Sequence, residues 1–246
     1  MPKVVPFFFF YVTFCPSALI VNQQFTGVQA YNLIRPYINF SYRFLKKYFN
    51  GRSFTMLDVG AGNQSATKTT ETFPRCKYYG LDISREYNYQ PSDFARMQDF
   101  YEIDLVKLDY TPVPDNFFDA VWMVHVIEHL PNGEEVLQKL IEKMKPGGIF
   151  YLEYPGKKST TLPSMYGTLN FYDDPSHVRL YNLPELRKVF ENNGCTVLRS
   201  GTRRNWFYIA ALPIRVLGKV LTRKRIEGNL FWDIAGFAEY VLAQKR

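Results

Sequence analysis

The chain has 246 residues, 46% of them hydrophobic and 22% charged, which is enough for one domain with a substantial core and short for two. Its three cysteines, Cys15, Cys76 and Cys195, are too few and too scattered for a disulfide scaffold or a cysteine-based zinc site. Reduced thiols, a cytoplasmic compartment and no metal are therefore the expectation. Of the net charge of +7, none arises before Leu198, where Lys and Arg match Asp and Glu at 20 each; from Arg199 onward they lead 10 to 3. A basic tail suits an anionic surface such as phospholipid, or is simply a solvated face; it does not make the domain a nucleic-acid binder.

Residues 4–21 are almost wholly apolar and include Phe7 to Phe10 in a row. The length approaches a short membrane span or a signal segment, but Pro6 and Pro16 interrupt it and no small-residue cleavage site follows. We expect 1–28 to be an extension or weak anchor. From 29 to 49, Leu33, Tyr37, Phe40, Phe44 and Tyr48 recur at helical spacing, with a break expected near Pro36 and an end at Asn50-Gly51. Buried strands are expected at 54–59, 77–83, 100–104, 118–126 and 149–154. Helices should fall at 65–73 and 133–144, the second with Glu134 and Glu135 at its positive end. Residues 156–177 show no clear period, 183–193 read as a helix closed by Gly194, and 196–200 and 206–211 read as the last two strands. Alternating strands and helices predict an α/β Rossmann-like fold, a seven-stranded, mostly parallel sheet with helices on both faces. The domain is expected to occupy 29–211, with 212–246 a basic amphipathic tail.

The first chemical signal is Asp58-Val59-Gly60-Ala61-Gly62, a buried strand running into two glycines spaced by one residue. Such a turn lets a ligand approach the backbone at the carboxyl end of a first strand, where nucleotides lie in open α/β sheets. Asp82 ends the next strand, 22 positions after Gly60, where a carboxylate accepts from ribose hydroxyls. A dinucleotide turn wants Gly or Ala at position 65, which here is Ser65. An acid at Asp58 suits a cofactor carrying an ammonium better than a pyrophosphate.

Five blocks then carry a family resemblance: LDVGAGNQS (57–65), YYGLDIS (78–84), PDNFFDAVWMVHVIEHL (114–130), KMKPGGIFYLEYP (143–155) and DDPSHVRLYN (173–182). In these the chain resembles class I S-adenosylmethionine-dependent methyltransferases, the group with a small-molecule methyltransferase domain. It departs from them in having Gln64 where a third glycine is common. The resemblance implies S-adenosyl-L-methionine as cofactor. Asp58, Gly60, Ala61 and Gly62 would surround its methionine part, Asp82 its ribose, and Ile83 its adenine. Asp104 followed by Leu105 would take the adenine amino group, and His125 would sit near the sulfonium.

A hydroxyl acceptor needs a base near neutral pH, and histidine fits. His125 and His177 are the candidates, while Glu128 and His129 are expected to orient the loop. The insertion 156–180 is expected to be a lid, with Tyr166, Phe171, Tyr172, His177 and Arg179 lining an acceptor pocket. In the tail, Ile214, Leu217, Gly218 and Leu221 share a helical face suited to a membrane surface, another part of the domain or a second copy. The acceptor would be a small molecule, a glycan or a lipid-linked group. One rival is a nicotinamide-dependent oxidoreductase or epimerase, for which Tyr154 and Lys158 have a suggestive spacing but are separated by Pro155 and Gly156. Another is a non-catalytic scaffold with the same fold.

Overall fold

The computed structural model describes residues 27–246 apart from position 63 and positions 87–89, with side chains from Asn32 onward. The expected N-terminal extension lies almost wholly outside the described residues. In chain order the elements are α1 (Gly27–Ile38), α2 (Tyr42–Phe49), β1 (Phe54–Val59), α3 (Ser65–Thr72), β2 (Cys76–Asp82), α4 (Pro91–Phe94), β3 (Asp99–Glu102), β4 (Phe118–Val124), α5 (Gly133–Lys143), β5 (Met144–Pro155), α6 (Leu183–Asn192), β6 (Cys195–Thr202), α7 (Trp206–Ala210), α8 (Leu212–Leu221), α9 (Trp232–Ala235) and β7 (Ala238–Lys245). Short 3-10 turns lie between them.

The strands form one sheet in the order β3-β2-β1-β4-β5-β7-β6. Pairs among β1 to β5 are parallel, and β7 runs antiparallel to both β5 and β6. This is the expected seven-stranded, mostly parallel sheet. Each strand feeds two cores, because successive side chains point to opposite faces. Leu57, Val59, Val121, Met123, Phe150 and Leu152 join the core that includes Val136, Leu140 and Phe190 of α5 and α6. Phe54, Met56, Ala120, Trp122, Ile149 and Tyr151 join the one that includes Leu45 of α2 and Ala66 of α3. Strand order reverses beside β1: the chain builds outward through β2 and β3, then returns to place β4 on the other side. The crevice at the carboxyl ends of β1 and β4 is thus the topological switch point where ligands bind in such sheets.

Three expectations are corrected. The run expected as a strand at 206–211 is the helix α7; its aromatic and β-branched composition suggests a strand, but Trp206 and Phe207 stand exposed at 70% and 49%. The last strand is instead β7, so the domain does not end at 211. Residues 238–245 fill the slot between β5 and β6, with Val241, Leu242 and Ala243 fully buried. The N-terminal helix does not break at Pro36 but three residues later. There Asn39 Oδ1 accepts from the N–H groups of Ser41 (3.0 Å) and Tyr42 (3.1 Å), a side-chain substitute for helical bonding that starts α2. Cys76 and Cys195 are buried and unpaired. Among the described residues no helix is long and apolar enough to cross a membrane.

Candidate active site

The loop after β1 is held in a shape only glycine takes. Gly60 has φ +76°, and a Cβ there would lie 2.4 Å from Val126 Cγ2. Its N–H donates to the Leu81 carbonyl at 2.8 Å, tying the turn to β2. Gly62 donates to the Gly60 carbonyl at 2.9 Å, and Gln64, in the left-handed region at φ 61°, leads into α3. Asp58 is buried at the end of β1, accepting hydrogen bonds from the hydroxyls of Ser65 and Tyr78. Burial pushes its pKa up to about 6, against the lowering effect of those two donors, and Asp82 adds to the rise.

A cavity of about 1150 Å³ opens beside this turn. Asp58, Gly60, Gly62, Asp82, Ile83, Asp104, Leu105 and His125 all line it. Ala61 does not; it is fully buried in the core beneath the turn. Asp82 Oδ1 accepts from the Ile83 N–H at 2.7 Å. Asp104 caps a 3-10 turn at Leu105–Lys107, accepting from Val106 N–H at 3.1 Å, with Lys107 Nζ 3.5 Å away. Two features mark the cavity as shaped for a ligand. The Gly60 position keeps side-chain atoms out of the turn. On the wall, Trp122 Nε1 is a buried donor without a hydrogen-bond partner, a costly arrangement unless a bound group accepts from it.

His125 reaches the cavity wall, but its surroundings do not suit a free base. Its backbone is in the left-handed region at φ 55°, pinned by an N–H bond to the Glu153 carbonyl at 2.9 Å. Nδ1 lies 3.3 Å from Glu128 Oε1, and Nε2 lies 3.4 Å from Glu153 Oε1, close enough for an ion pair but off the hydrogen-bond direction. Burial favours the neutral ring, yet the two carboxylates outweigh it and raise the pKa to about 9. Both ring nitrogens thus face carboxylates, an arrangement that favours the charged ring over the free base expected from the sequence. Behind it, Arg203 donates to Glu153 Oε1 at 3.1 Å and to Asp233 Oδ2 at 3.3 Å. Burial works to raise the Glu153 pKa, but Arg203 and then His125 hold it at about 2. Asp233 Oδ1 in turn accepts from the Asn205 N–H at 2.8 Å. Trp232, next to Asp233, packs its ring 4.8 Å from His125 and lines the cavity. Sequence reading missed Glu153, Arg203, Trp232 and Asp233; no local spacing connects them, because the late return of β7 brings the tail under the site.

His177 also departs from expectation. It does not line the cavity. Its Nδ1 lies 2.6 Å from the Phe171 carbonyl, and its Nε2 lies 4.0 Å from Glu128 Oε1 and 3.9 Å from Asp174 Oδ2. Nor do Tyr166, Phe171, Tyr172 or Arg179 line the cavity; from 156–180 only Ser176 does. Arg179 instead forks onto both oxygens of Glu134, and Phe171 is buried. The insertion is ordered from within: the Asp173 carboxylate accepts from the N–H groups of Met165, Leu169 and Asn170. The Tyr154–Lys158 pairing of the nicotinamide reading is not formed, since Tyr154 OH donates to Glu239 and Lys158 lies in a separate 3-10 turn.

Comparison with known proteins agrees with this geometry. A family model described as "Methyltransferase domain" matches residues 30–200. A sterol 24-C-methyltransferase of Aspergillus fumigatus is 29% identical over 98 residues, 39% of this chain and 26% of that protein. The 27-O-demethylrifamycin SV methyltransferase of Amycolatopsis mediterranei is 29% identical over 98 residues, 38% of this chain and 35% of that protein. The matches thus span about a quarter to a third of those relatives. Among solved structures, a SAM-dependent methyltransferase from Archaeoglobus fulgidus shares the fold at TM-score 0.54 and 20% identity, over 87% of this chain and 99% of that one. Haemonchus contortus phosphoethanolamine N-methyltransferase 2, in complex with S-adenosyl-L-methionine, does so at TM-score 0.58 and 17% identity, over 91% and 58%. With its glycine turn, its acidic strand ends and the family match over most of its length, the chain belongs to the class I S-adenosylmethionine-dependent methyltransferase domain family.

Proposed function

We propose that this domain transfers the methyl group of S-adenosylmethionine to an oxygen, nitrogen or carbon of a small-molecule, glycan or lipid-linked acceptor. The observation that carries the reading is the convergence of the Gly60–Gly62 turn, Asp82 and Asp104 on one cavity at the switch point of the sheet. The bound cofactor supplies a methyl group on a good leaving group, so the protein's task is alignment and exclusion of water. Asp82 would accept from the ribose hydroxyls, Asp104 would accept from the adenine amino group, and Ile83, 64% exposed, would cover the adenine face. Asp58 would face the ammonium of the methionine part. His129, Leu130, Ser176 and Trp232 also line the cavity and are the walls we assign to the acceptor.

The Asp58 assignment has a pH signature. Its folded pKa of about 6 lies above the unfolded value. Alone, this group favours the folded chain at low pH, a gain lost as the pH rises through 6. A bound ammonium prefers the ionised form, so affinity for S-adenosylhomocysteine is expected to be full at pH 7.5 and to fall as pH drops below 6, by up to roughly tenfold per unit. Calorimetry from pH 5 to 8 checks this: a flat profile removes Asp58 from the ammonium, and Asp58→Asn should flatten it.

A lipid-linked acceptor is favoured by one surface. α8 exposes Ile214, Leu217, Val220 and Leu221, with Trp206 and Phe207 of α7 beside them. Arg215 and Lys219 are on the same helix, and Arg223 to Arg225 follow it. Such a helix lies flat in an anionic membrane surface. The relatives named for a sterol and a rifamycin agree with a bulky, hydrophobic acceptor. Incubating the protein with methyl-labelled cofactor and fractionated cell extract should put label in the organic-solvent-extractable fraction. Label confined to water-soluble metabolites contradicts the lipid-linked acceptor, and label in nucleic acid or in nothing contradicts the function.

A further inference from the structure

We propose that Glu128, His129 and His177 form a binding site for a divalent transition-metal cation beside the cavity. This goes beyond methyl transfer and does not depend on the cofactor. The three side chains come from two places. Glu128 and His129 are neighbours on the 3-10 turn Ile127–His129 after β4. His177 is 48 residues further on in the insertion, drawn in because the N–H groups of Val178 and Arg179 both donate to the Glu128 carbonyl, at 2.9 and 3.2 Å. One ligand atom from each residue lies within 4.8 Å of those of the other two.

The orientation of each donor is fixed by a second contact. In the neutral ring His177 uses Nδ1–H to donate to the Phe171 carbonyl at 2.6 Å, which leaves the lone pair on Nε2, the nitrogen facing Glu128 and Asp174. His129 Nδ1 lies 3.1 Å from both the Ser176 carbonyl and its hydroxyl. The Ser176 hydroxyl is itself donating to Asp174 Oδ1, so His129 is the donor there and its Nε2 carries the lone pair. Histidines that bind metals are held in this way, one nitrogen bonded to a carbonyl and the other presented. Glu128 is 1% exposed; Oε1 contacts His125 Nδ1, and Oε2 has no hydrogen-bond partner. A buried carboxylate oxygen in that position is costly unless a cation or donor meets it.

Two imidazoles and one carboxylate suit Zn²⁺, Mn²⁺, Fe²⁺ or Co²⁺ better than Mg²⁺, which prefers an all-oxygen shell. His129 and Ser176 also line the cavity, so the site adjoins it, with Glu128 and His177 set back from its wall.

The test uses the full chain, stripped with chelator and titrated separately with Mn²⁺, Zn²⁺ and Mg²⁺, with metal content measured after dialysis. One equivalent of Zn²⁺ or Mn²⁺ should remain bound, with Mg²⁺ at least tenfold weaker. His129→Ala and His177→Ala should each weaken binding at least tenfold. S-adenosylhomocysteine affinity of His177→Ala should stay within twofold of the parent, which shows that the variant is folded and separates this site from the cofactor's. Failure of the parent to retain either metal overturns the proposal, as does equal retention by the parent and both variants.

Discussion

Replacing Arg203 by alanine is expected to lower the unfolding free energy by about 3–5 kcal/mol, the usual cost of removing one partner from a buried ion pair. The guanidinium is the cation between Glu153 and Asp233, whose side chains are 5% and 8% exposed. Without it Glu153 keeps only His125 as a counter-charge, and Asp233 loses its ionic partner while still accepting from the Asn205 N–H. The effect should reach beyond the pair. Asn205 Nδ2 donates to the Ile38 carbonyl at 2.6 Å and its Oδ1 accepts from Arg43 at 3.1 Å, so the network also anchors the α1–α2 corner. For a chain of this size the loss corresponds to a fall in Tm of roughly 6–20 °C. Arg203→Lys should recover part of it, keeping the charge but not the fork that reaches both carboxylates. A thermal melt of Arg203→Ala indistinguishable from the parent would show that the network contributes nothing.

The second large effect is on ligand affinity. Asp82→Ala should weaken S-adenosylhomocysteine binding by about 100-fold or more, because hydrogen bonds to a charged group contribute about 1.5–3 kcal/mol each and a ribose offers two hydroxyls. The side chain sits at the end of β2, its Oδ1 fixed by the Ile83 N–H, so the loss should fall on affinity and leave the melt of the unliganded protein close to the parent's. Asp82→Asn, which keeps the size but not the charge, should lie between the two. Affinity preserved in Asp82→Ala would move the ribose elsewhere.

These two effects differ in how far the sequence discloses them. The Asp82 site is legible because its parts are local: a strand, a two-glycine turn and an acid at the end of the next strand, each read from a few consecutive residues. The turn's geometry follows from Gly60, where both the positive φ and the nearness of Val126 exclude a side chain. The Arg203 network is not legible. Residues 203 and 233 reach 125, 128 and 153 because β7 inserts between β5 and β6, and that strand lies in a stretch whose positive charge suggests a solvated tail. Several of those charges have internal partners: Arg204 donates to the Asp233 carbonyl, and Lys245 donates to the Met144 carbonyl at 2.8 Å. The same long-range convergence decides His125. Its position at the end of β4 is readable, but its charge state depends on Glu153, a residue on the adjacent strand. Residues 206–211 differ from expectation for the opposite reason: local composition favours a strand, whereas 206–210 form a short helix.

The cavity beside the Gly60 turn is shaped to hold a sulfonium nucleoside. Isothermal titration of the parent protein with S-adenosylhomocysteine, and in parallel with NADH, tests it most directly. One equivalent of the nucleoside should bind per chain, with no saturable heat from NADH. Absence of heat with the nucleoside, or saturable binding of the dinucleotide in its place, would contradict it.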